Sequence, residues 1–484
     1  MSETFTSVSQ EEAGFRERAR LSFDLDADIC VIGAGLAGLT AAYELREHDV
    51  DVYEATDRIG GKLHTVAFEA GPTDMGAEAF LARRADMVDF VAELGLTGSL
   101  VEPSGLGSLV YTGGSAKPLP RGGVMGIPSS GQAVAHLVSA ETASRIDAES
   151  TAPGFTWDTE GDRSVGELVR ARYGDEVADR VVSALLGGVY SCSADDLGVR
   201  ATVPQLAAEL DRLATGGAPV HLSTAVKNLE ESRAQLAGTQ GAVFNSFRDG
   251  YQELYEALAE QSGADIYVDS FISGITREGE GYRLTGGEDA VYDTVILAVP
   301  APTAGMLLRA AAPEAASELA GIKLANSVVV GMRFATEEGL PHNSGVLIAA
   351  DEEGLTAKAF TLSSRKWPHL AARGGALVRA SFGRFGDDIA LRADEDTLVD
   401  AALDDLHKVT GFDGRAAGLE EIYVQRWLGG LPRFDATHLS TVARVRARLA
   451  AVPGIDVVGA WVSGVGVPDV VAHARRVAAD IAGA

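Results

Sequence analysis

Residues 28–54 constrain this chain more than any other stretch. Asp28–Ile32 is apolar after its first residue, Gly33-Ala34-Gly35-Leu36-Ala37-Gly38 follows, Gly38–Glu47 has helical composition, and Val50–Tyr53 leads to Glu54. This order predicts a βαβ unit of about 30 residues, the start of a parallel sheet. Each glycine has its own task. Gly33 permits the tight turn, Gly35 lets backbone approach a pyrophosphate, and Gly38 lets helix and strand pack closely. The helix N-terminus faces phosphate charge, with Ala34, Leu36 and Ala37 in the same cradle. Glu54 stands where a carboxylate accepts hydrogen bonds from ribose hydroxyls.

The chain has 484 residues, 46% of them hydrophobic, which predicts two or three domains. Residues 1–26 are polar and charged and lack a basic start followed by an apolar run. They are expected as a disordered leader, not a secretory signal. Helical spacing runs from Asp86 to about Arg212, as in Met87, Val88, Phe90, Val91 and Leu94. Within it, Glu102–Ser130 is rich in Gly, Pro and Ser and is expected as loop. A helix is expected at Tyr251–Glu260. Asp265–Thr276, Gly281–Thr285 and Asp293–Val299 read as a β-meander, stopped by Pro300 and Pro302. Ser327–Phe334, Gly345–Ala349 and Ala376–Phe382 read as a second sheet and Thr397–Thr410 as an amphipathic helix. Ile455–Val458 reads as a short strand, followed by a Gly-rich turn and a helix at Pro468–Ala482. The expected fold is α/β and α+β. A Rossmann-like nucleotide-binding domain takes 27–85, 242–303 and 450–484. A mainly helical subdomain takes 86–241, and a mixed-sheet substrate-binding domain takes 304–449.

The formal net charge of −28 disfavours a nucleic-acid backbone or an anionic lipid surface as partner and suits a soluble cytoplasmic protein. Cys30 and Cys192 cannot build a disulfide framework, and both read as structural. No apolar run approaches the roughly 18 residues of a membrane span. GxSxG, HExxH and CxxC patterns are absent, and the nine histidines lack metal-ligand spacing, so no metal site is expected.

Asp57-Arg58-Ile59-Gly60-Gly61-Lys62 resembles the Arg-x-Gly-Gly-Arg element of the flavin amine oxidase and protoporphyrinogen oxidase superfamily. Lys62 replaces the usual arginine, which keeps the charge but loses the planar fork. The resemblance implies FAD, with Arg58, Gly61 and Lys62 toward its diphosphate and Ala55, beside Glu54, also assigned to the cofactor. Asp74-Met75-Gly76-Ala77-Glu78 resembles the family's loop near the isoalloxazine ring, implying contacts from Gly76, Ala77, Glu78 and Ala79. Gly464-Val465-Gly466-Val467-Pro468-Asp469 resembles the C-terminal flavin element, in which a second helix N-terminus faces the flavin through Val465, Gly466 and Val467. Ile272 falls where the family contacts adenine, and Trp427 is assigned to the cofactor as well.

Within the superfamily the chain is most similar to porphyrinogen oxidases of Gram-positive and actinobacterial type, over most of 27–482. Gly187-Gly188-Val189-Tyr190-Ser191 with Ala194-Asp195, and Trp427 with Leu431-Pro432-Arg433-Phe434, carry that resemblance. Phe247–Gly250 and Ala298-Val299-Pro300 are shared more widely. The resemblance implies one non-covalent FAD per chain and oxygen-using, six-electron oxidation of coproporphyrinogen III to coproporphyrin III in heme biosynthesis. Hydrogen peroxide is released, and a ferrochelatase is the partner implied downstream. Protoporphyrinogen IX oxidation, amine oxidation and non-catalytic porphyrin binding are the alternatives. Val329 stands where amine oxidases place a mid-strand lysine. No protein residue is singled out as catalytic, since the hydride chemistry belongs to the flavin. A substrate with four propionates needs local cations in so acidic a chain. Arg83 and Arg84 are the first candidates, with Arg121, Arg365, Lys366, Arg384 and Arg433 behind them.

Overall fold

Ile29-Cys30-Val31-Ile32 carries no charged or hydroxyl side chain, and as a strand it is buried throughout. Such a strand needs cover on both faces. Alternate side chains point to opposite faces of a sheet, and here they enter two different cores. Ile29 and Val31 pack with the helices Leu36–Glu44, Gln252–Ser262 and Val467–Ala482. Cys30 and Ile32 pack with the strands Gly274–Glu278 and Gly281–Thr285 and the helices Ala301–Leu307, Pro313–Leu319 and His438–Leu449. The computed structural model describes residues 29–217, 219–236 and 242–483. The expected leader lies outside them.

Ile29–Ile32 is the centre of a five-stranded parallel sheet. The order across it is Asp265–Tyr267, Val50–Tyr53, Ile29–Ile32, Thr294–Leu297 and Ile455–Val457. Four separate stretches of sequence therefore meet in one sheet. The expected meander does not form as one sheet. Asp265–Tyr267 and Thr294–Leu297 belong to the parallel sheet, while Gly274–Glu278, Gly281–Thr285 and Val291–Tyr292 form a separate antiparallel sheet of three. Apolar runs of this length mark strands but carry no information on which strand they pair with.

The second large sheet has seven strands. Their order is Leu419–Pro432, Leu324–Phe334, Ala376–Phe382, Ala357–Thr361, Gly345–Ile348, Leu109–Thr112 and Ser115–Pro118. All neighbours are antiparallel except Gly345–Ile348 with Leu109–Thr112. Glu102–Ser130 is thus not all loop: it supplies two strands joined at Gly113-Gly114, whose positive φ angles of 59° and 74° suit a tight hairpin. Glycine by composition reads as loop, but here it marks the turn between strands. The long strand Leu419–Pro432 and the strand Ala357–Thr361 also escape the sequence pattern, because the first is mostly half-buried and never strictly alternates.

Helices Val165–Tyr173, Ser183–Tyr190, Pro204–Thr215 and Leu222–Leu236 enclose a third core around Leu168, Val181, Leu186, Leu206 and Leu210. Cys30 and Cys192 are both buried and free. No helix among the described residues is long and apolar enough to cross a membrane.

Candidate functional site

The candidate site lies at the C-terminal edge of the parallel sheet, where open α/β sheets bind ligands. Gly33 leaves the central strand with φ 108°, and its N–H donates to the Tyr53 carbonyl at 2.7 Å. A Cβ on Gly33 would lie 2.8 Å from the Ala298 carbonyl oxygen, and one on Gly38 would lie 1.9 Å from that of Gly33. Both glycines are required by protein packing alone. Gly35 is different: a Cβ there would meet nothing closer than the Gly61 Cα at 3.7 Å. Gly35 caps the helix Leu36–Glu44, whose first N–H groups have no intrahelical acceptor.

Glu54 sits at the end of the neighbouring strand. One carboxylate oxygen accepts from the Ala34 N–H at 2.9 Å, the other from the backbone and hydroxyl of Thr56 at 2.9 and 2.8 Å. Glu54 is thereby held against the glycine turn. The Glu54 carbonyl accepts from Ser270 N–H at 2.8 Å, which brings the buried Ile272 to the same end of the sheet. Ala55 follows Glu54 and is exposed.

Arg58 acts on its own loop. Its guanidinium donates to the carbonyls of Ile59, Gly61 and Leu63 at 3.1, 2.7 and 3.3 Å. This clasp shapes the Gly60-Gly61 turn, in which Gly60 N–H donates to the Ala34 carbonyl at 2.8 Å. The two glycine loops therefore lie against each other. Lys62 extends from this turn with accessible side-chain surface, yet surrounding protein removes enough water to push its ammonium down to about 8.

Asp74–Ala79 runs beneath. Gly76 is fixed because a Cβ would lie 2.1 Å from the Lys62 carbonyl oxygen. Glu78 is clamped by Lys366 and by Arg379 at 2.8 Å, and Arg379 also donates to the Gly76 carbonyl at 2.9 Å. Burial alone would raise the Glu78 pKa, but these two cations outweigh it and hold the group at about 2. Asp74 forms no ion pair among the described residues. Burial raises it to about 6, although Thr65 Oγ1 and Tyr251 N–H donate to it at 2.5 and 3.0 Å. Ala77 and Ala79 are half-buried on this loop. Trp427 donates its indole N–H to the Met75 carbonyl at 3.1 Å, so the long strand of the second sheet is tied to the same loop.

The C-terminal element completes the arrangement. Gly459 and Gly464 have φ 121° and 118°, and Gly466 caps the helix Val467–Ala482. That helix packs on Leu36–Glu44 through Ala37, Val470, Val471 and Ala474. Val465 is half-buried and packs on the helical core. Trp461 is buried, its N–H on the Val299 carbonyl at 3.1 Å.

The candidate cations sort by partner. Arg84 pairs with Asp86 at 2.7 Å and with Asp469 in the first turn of the C-terminal helix. Arg365 pairs with Glu337 at 3.0 Å, Lys366 with Glu78, and Arg433 with Asp196 at 3.3 Å. Arg83 and Arg121 are both exposed. Arg384 is half-buried, and the one hydrogen bond of its guanidinium among the described residues goes to the Ile348 carbonyl at 3.3 Å. Lys358, which sequence patterning does not single out, is buried beside it. A lysine inside a strand gives no signal that its ammonium is buried.

Comparison with known proteins bears out the sequence resemblance. The model of the family described as "Flavin containing amine oxidoreductase" matches residues 36–482. A coproporphyrinogen III oxidase of Mycobacterium tuberculosis (strain ATCC 25618 / H37Rv) is 41% identical over 453 residues, covering 92% of this chain and 95% of that one. The coproporphyrinogen III oxidase of Bacillus subtilis (strain 168) is 28% identical over 93% and 97% of the two chains. A solved structure from Exiguobacterium sp. 255-15 superposes with a TM-score of 0.80 at 27% identity, covering 94% of this chain and 98% of that chain.

Proposed function

The chain belongs to the flavin-containing amine oxidoreductase family, and we propose that it is an FAD-dependent oxidase converting coproporphyrinogen III to coproporphyrin III. The observation that carries this reading is the 41% identity, over 92% of the chain, to a mycobacterial protein of that name. The geometry supports it. Two helix N-termini, at Gly35 and Gly466, belong to helices that pack on each other, and each favours negative charge.

One FAD per chain is held non-covalently. Gly33, Ala34, Gly35, Leu36, Ala37, Gly38, Gly61 and Lys62 take the diphosphate, and Arg58 fixes the loop that does so. Glu54 and Ala55 take the ribose, and Ile272 the adenine. Gly76 to Ala79, Trp427 and Val465 to Val467 flank the ring system. Neither cysteine offers an attachment point, since both are buried among core side chains. FAD supplies a hydride acceptor when bound. Over the whole reaction, the porphyrinogen loses six electrons and six hydrogens, three dioxygen molecules accept them, and hydrogen peroxide leaves. The protein's own part is to position the macrocycle, exclude water and neutralise the propionates. The enzyme works in the cytoplasm, and its product passes to a ferrochelatase.

The test is one assay with purified yellow protein. Coproporphyrinogen III, protoporphyrinogen IX and simple amines are compared by porphyrin fluorescence and peroxide release. Fastest turnover of coproporphyrinogen III, with peroxide, is expected. Turnover of amines alone would sink the reading.

A further inference from the structure

Burying a cation costs free energy unless an anion or several good acceptors accompany it. Lys358 is 5% exposed, on the strand Ala357–Thr361. Its Nζ donates to Ser191 Oγ at 2.6 Å and to the Gly383 carbonyl at 2.7 Å, and it forms no ion pair among the described residues. An ammonium has three protons to donate, so one is unassigned. Arg384, next in sequence to Gly383, is close enough to repel it. Burial first and Arg384 second push the Lys358 ammonium down to about 7. Among the described residues Arg384 itself donates only to the Ile348 carbonyl, and its Nε is buried without a partner.

This pair sits at a junction. Ser191 ends the helix Ser183–Tyr190 in a left-handed conformation, with φ 52°. Its carbonyl accepts from the Phe385 N–H at 2.7 Å, so the loop 383–385 is joined to the end of that helix. Tyr190, Leu347, Phe385 and Val465 are only partly buried and pack on one core. The Tyr190 hydroxyl is raised to about 12 by burial and by Asp469, which lies beside Gly464 and Gly466. The helical segment and the seven-stranded sheet thus meet at two neighbouring cations, neither of which forms an ion pair among the described residues.

We propose that Lys358 and Arg384 form the subsite that receives one carboxylate of the substrate, a propionate of the porphyrinogen. The proposal rests on the functional reading above. The Arg384 fork makes the directed contact, since a guanidinium matches a carboxylate with two parallel N–H donors. Lys358 stands behind it as a point charge, anchored by Ser191 and Gly383. Arg84, Arg365, Lys366 and Arg433 are already paired with acids.

The test uses the FAD-loaded enzyme and its Arg384→Gln and Arg384→Lys variants. KM and kcat are measured for coproporphyrinogen III. Kd is measured by fluorescence for coproporphyrin III and for its tetramethyl ester, which has the same macrocycle without charge. Arg384→Gln is expected to raise KM and the Kd of the acid about tenfold, as loss of one charge-assisted contact does. kcat and the flavin spectrum should stay unchanged, Arg384→Lys should recover part of the loss, and ester binding should not move. Equal weakening of acid and ester would mark a structural defect and overturn the subsite. If wild type oxidises coproporphyrinogen III and Arg384→Gln matches it, the subsite falls alone. If wild type oxidises no porphyrinogen, the functional reading falls and takes the subsite with it.

Discussion

Gly35 and Gly38 stand three positions apart, yet their surroundings differ completely. Gly38 lies so close to the Gly33 carbonyl that any side chain would force helix and strand apart, whereas a Cβ on Gly35 would have only the Gly61 Cα within 4 Å. The two substitutions should therefore separate folding from cofactor binding. Gly35→Val is expected to give protein with wild-type far-UV circular dichroism but without the flavin absorbance band at about 450 nm. Gly38→Val is expected to lose both flavin and stability, because overpacking against backbone costs roughly 1–3 kcal/mol or more. A yellow Gly35→Val protein would remove the diphosphate from this turn. The packing role of Gly38 is legible in the sequence, because the spacing itself reports where helix and strand must approach each other. The surroundings of Arg58 and Glu78 are not. Arg58 grips its own loop, and Glu78 is neutralised by Lys366 and Arg379, which stand far away along the chain. No local pattern encodes such pairs.

Elements show a similar division. The helix Leu222–Leu236 has no acidic residue in its first turn. Its N-terminus is satisfied instead by Glu149, which is 3% exposed and accepts from Leu222 N–H, Ser223 N–H and Ser223 Oγ at 3.0, 3.0 and 2.6 Å. Arg172 donates to the same carboxylate at 2.7 Å. Burial opposes the ionised form, but these donors win and its pKa is lowered. Removing one partner of such a network leaves the other charge buried and unpaired. Glu149→Ala is expected to cost about 3–5 kcal/mol in urea unfolding, with Glu149→Gln costing less because it keeps an acceptor. A loss under about 1 kcal/mol would mean that water replaces the carboxylate there. The sequence reading places this helix only within a mainly helical subdomain and misses its cap, since the cap lies 73 residues upstream of Leu222. Strands fare similarly: the apolar runs of 265–299 are visible, but their division between a parallel and an antiparallel sheet is not.

At the scale of the whole molecule, the formal charge of −28 opposes any anionic substrate. The opposition acts at long range. The Debye length shrinks from about 30 Å at 0.01 M salt to about 8 Å at 0.15 M. Screening should therefore remove the repulsion of the distant surface while leaving buried cations such as Lys358 less affected. The association rate of coproporphyrin III is expected to rise over that salt range, measured by stopped-flow fluorescence. A falling rate would show that local cations already govern the encounter.

The sequence alone determined the first strand, glycine turn and helix, the distant C-terminal glycine turn and the family, because each rests on residues close together along the chain. Backbone approach to a diphosphate demands glycines at fixed spacing, and that demand is written locally. Tertiary structure alone decided which strands share a sheet, that the segment at 109–118 joins the seven-stranded one, and which cations have acidic partners. As letters, Arg84, Arg365, Lys366, Arg384 and Arg433 say nothing of which acid each one meets. Only the fold distinguishes them, because a charge is neutralised by whatever lies within a few ångströms in space, at any separation in sequence.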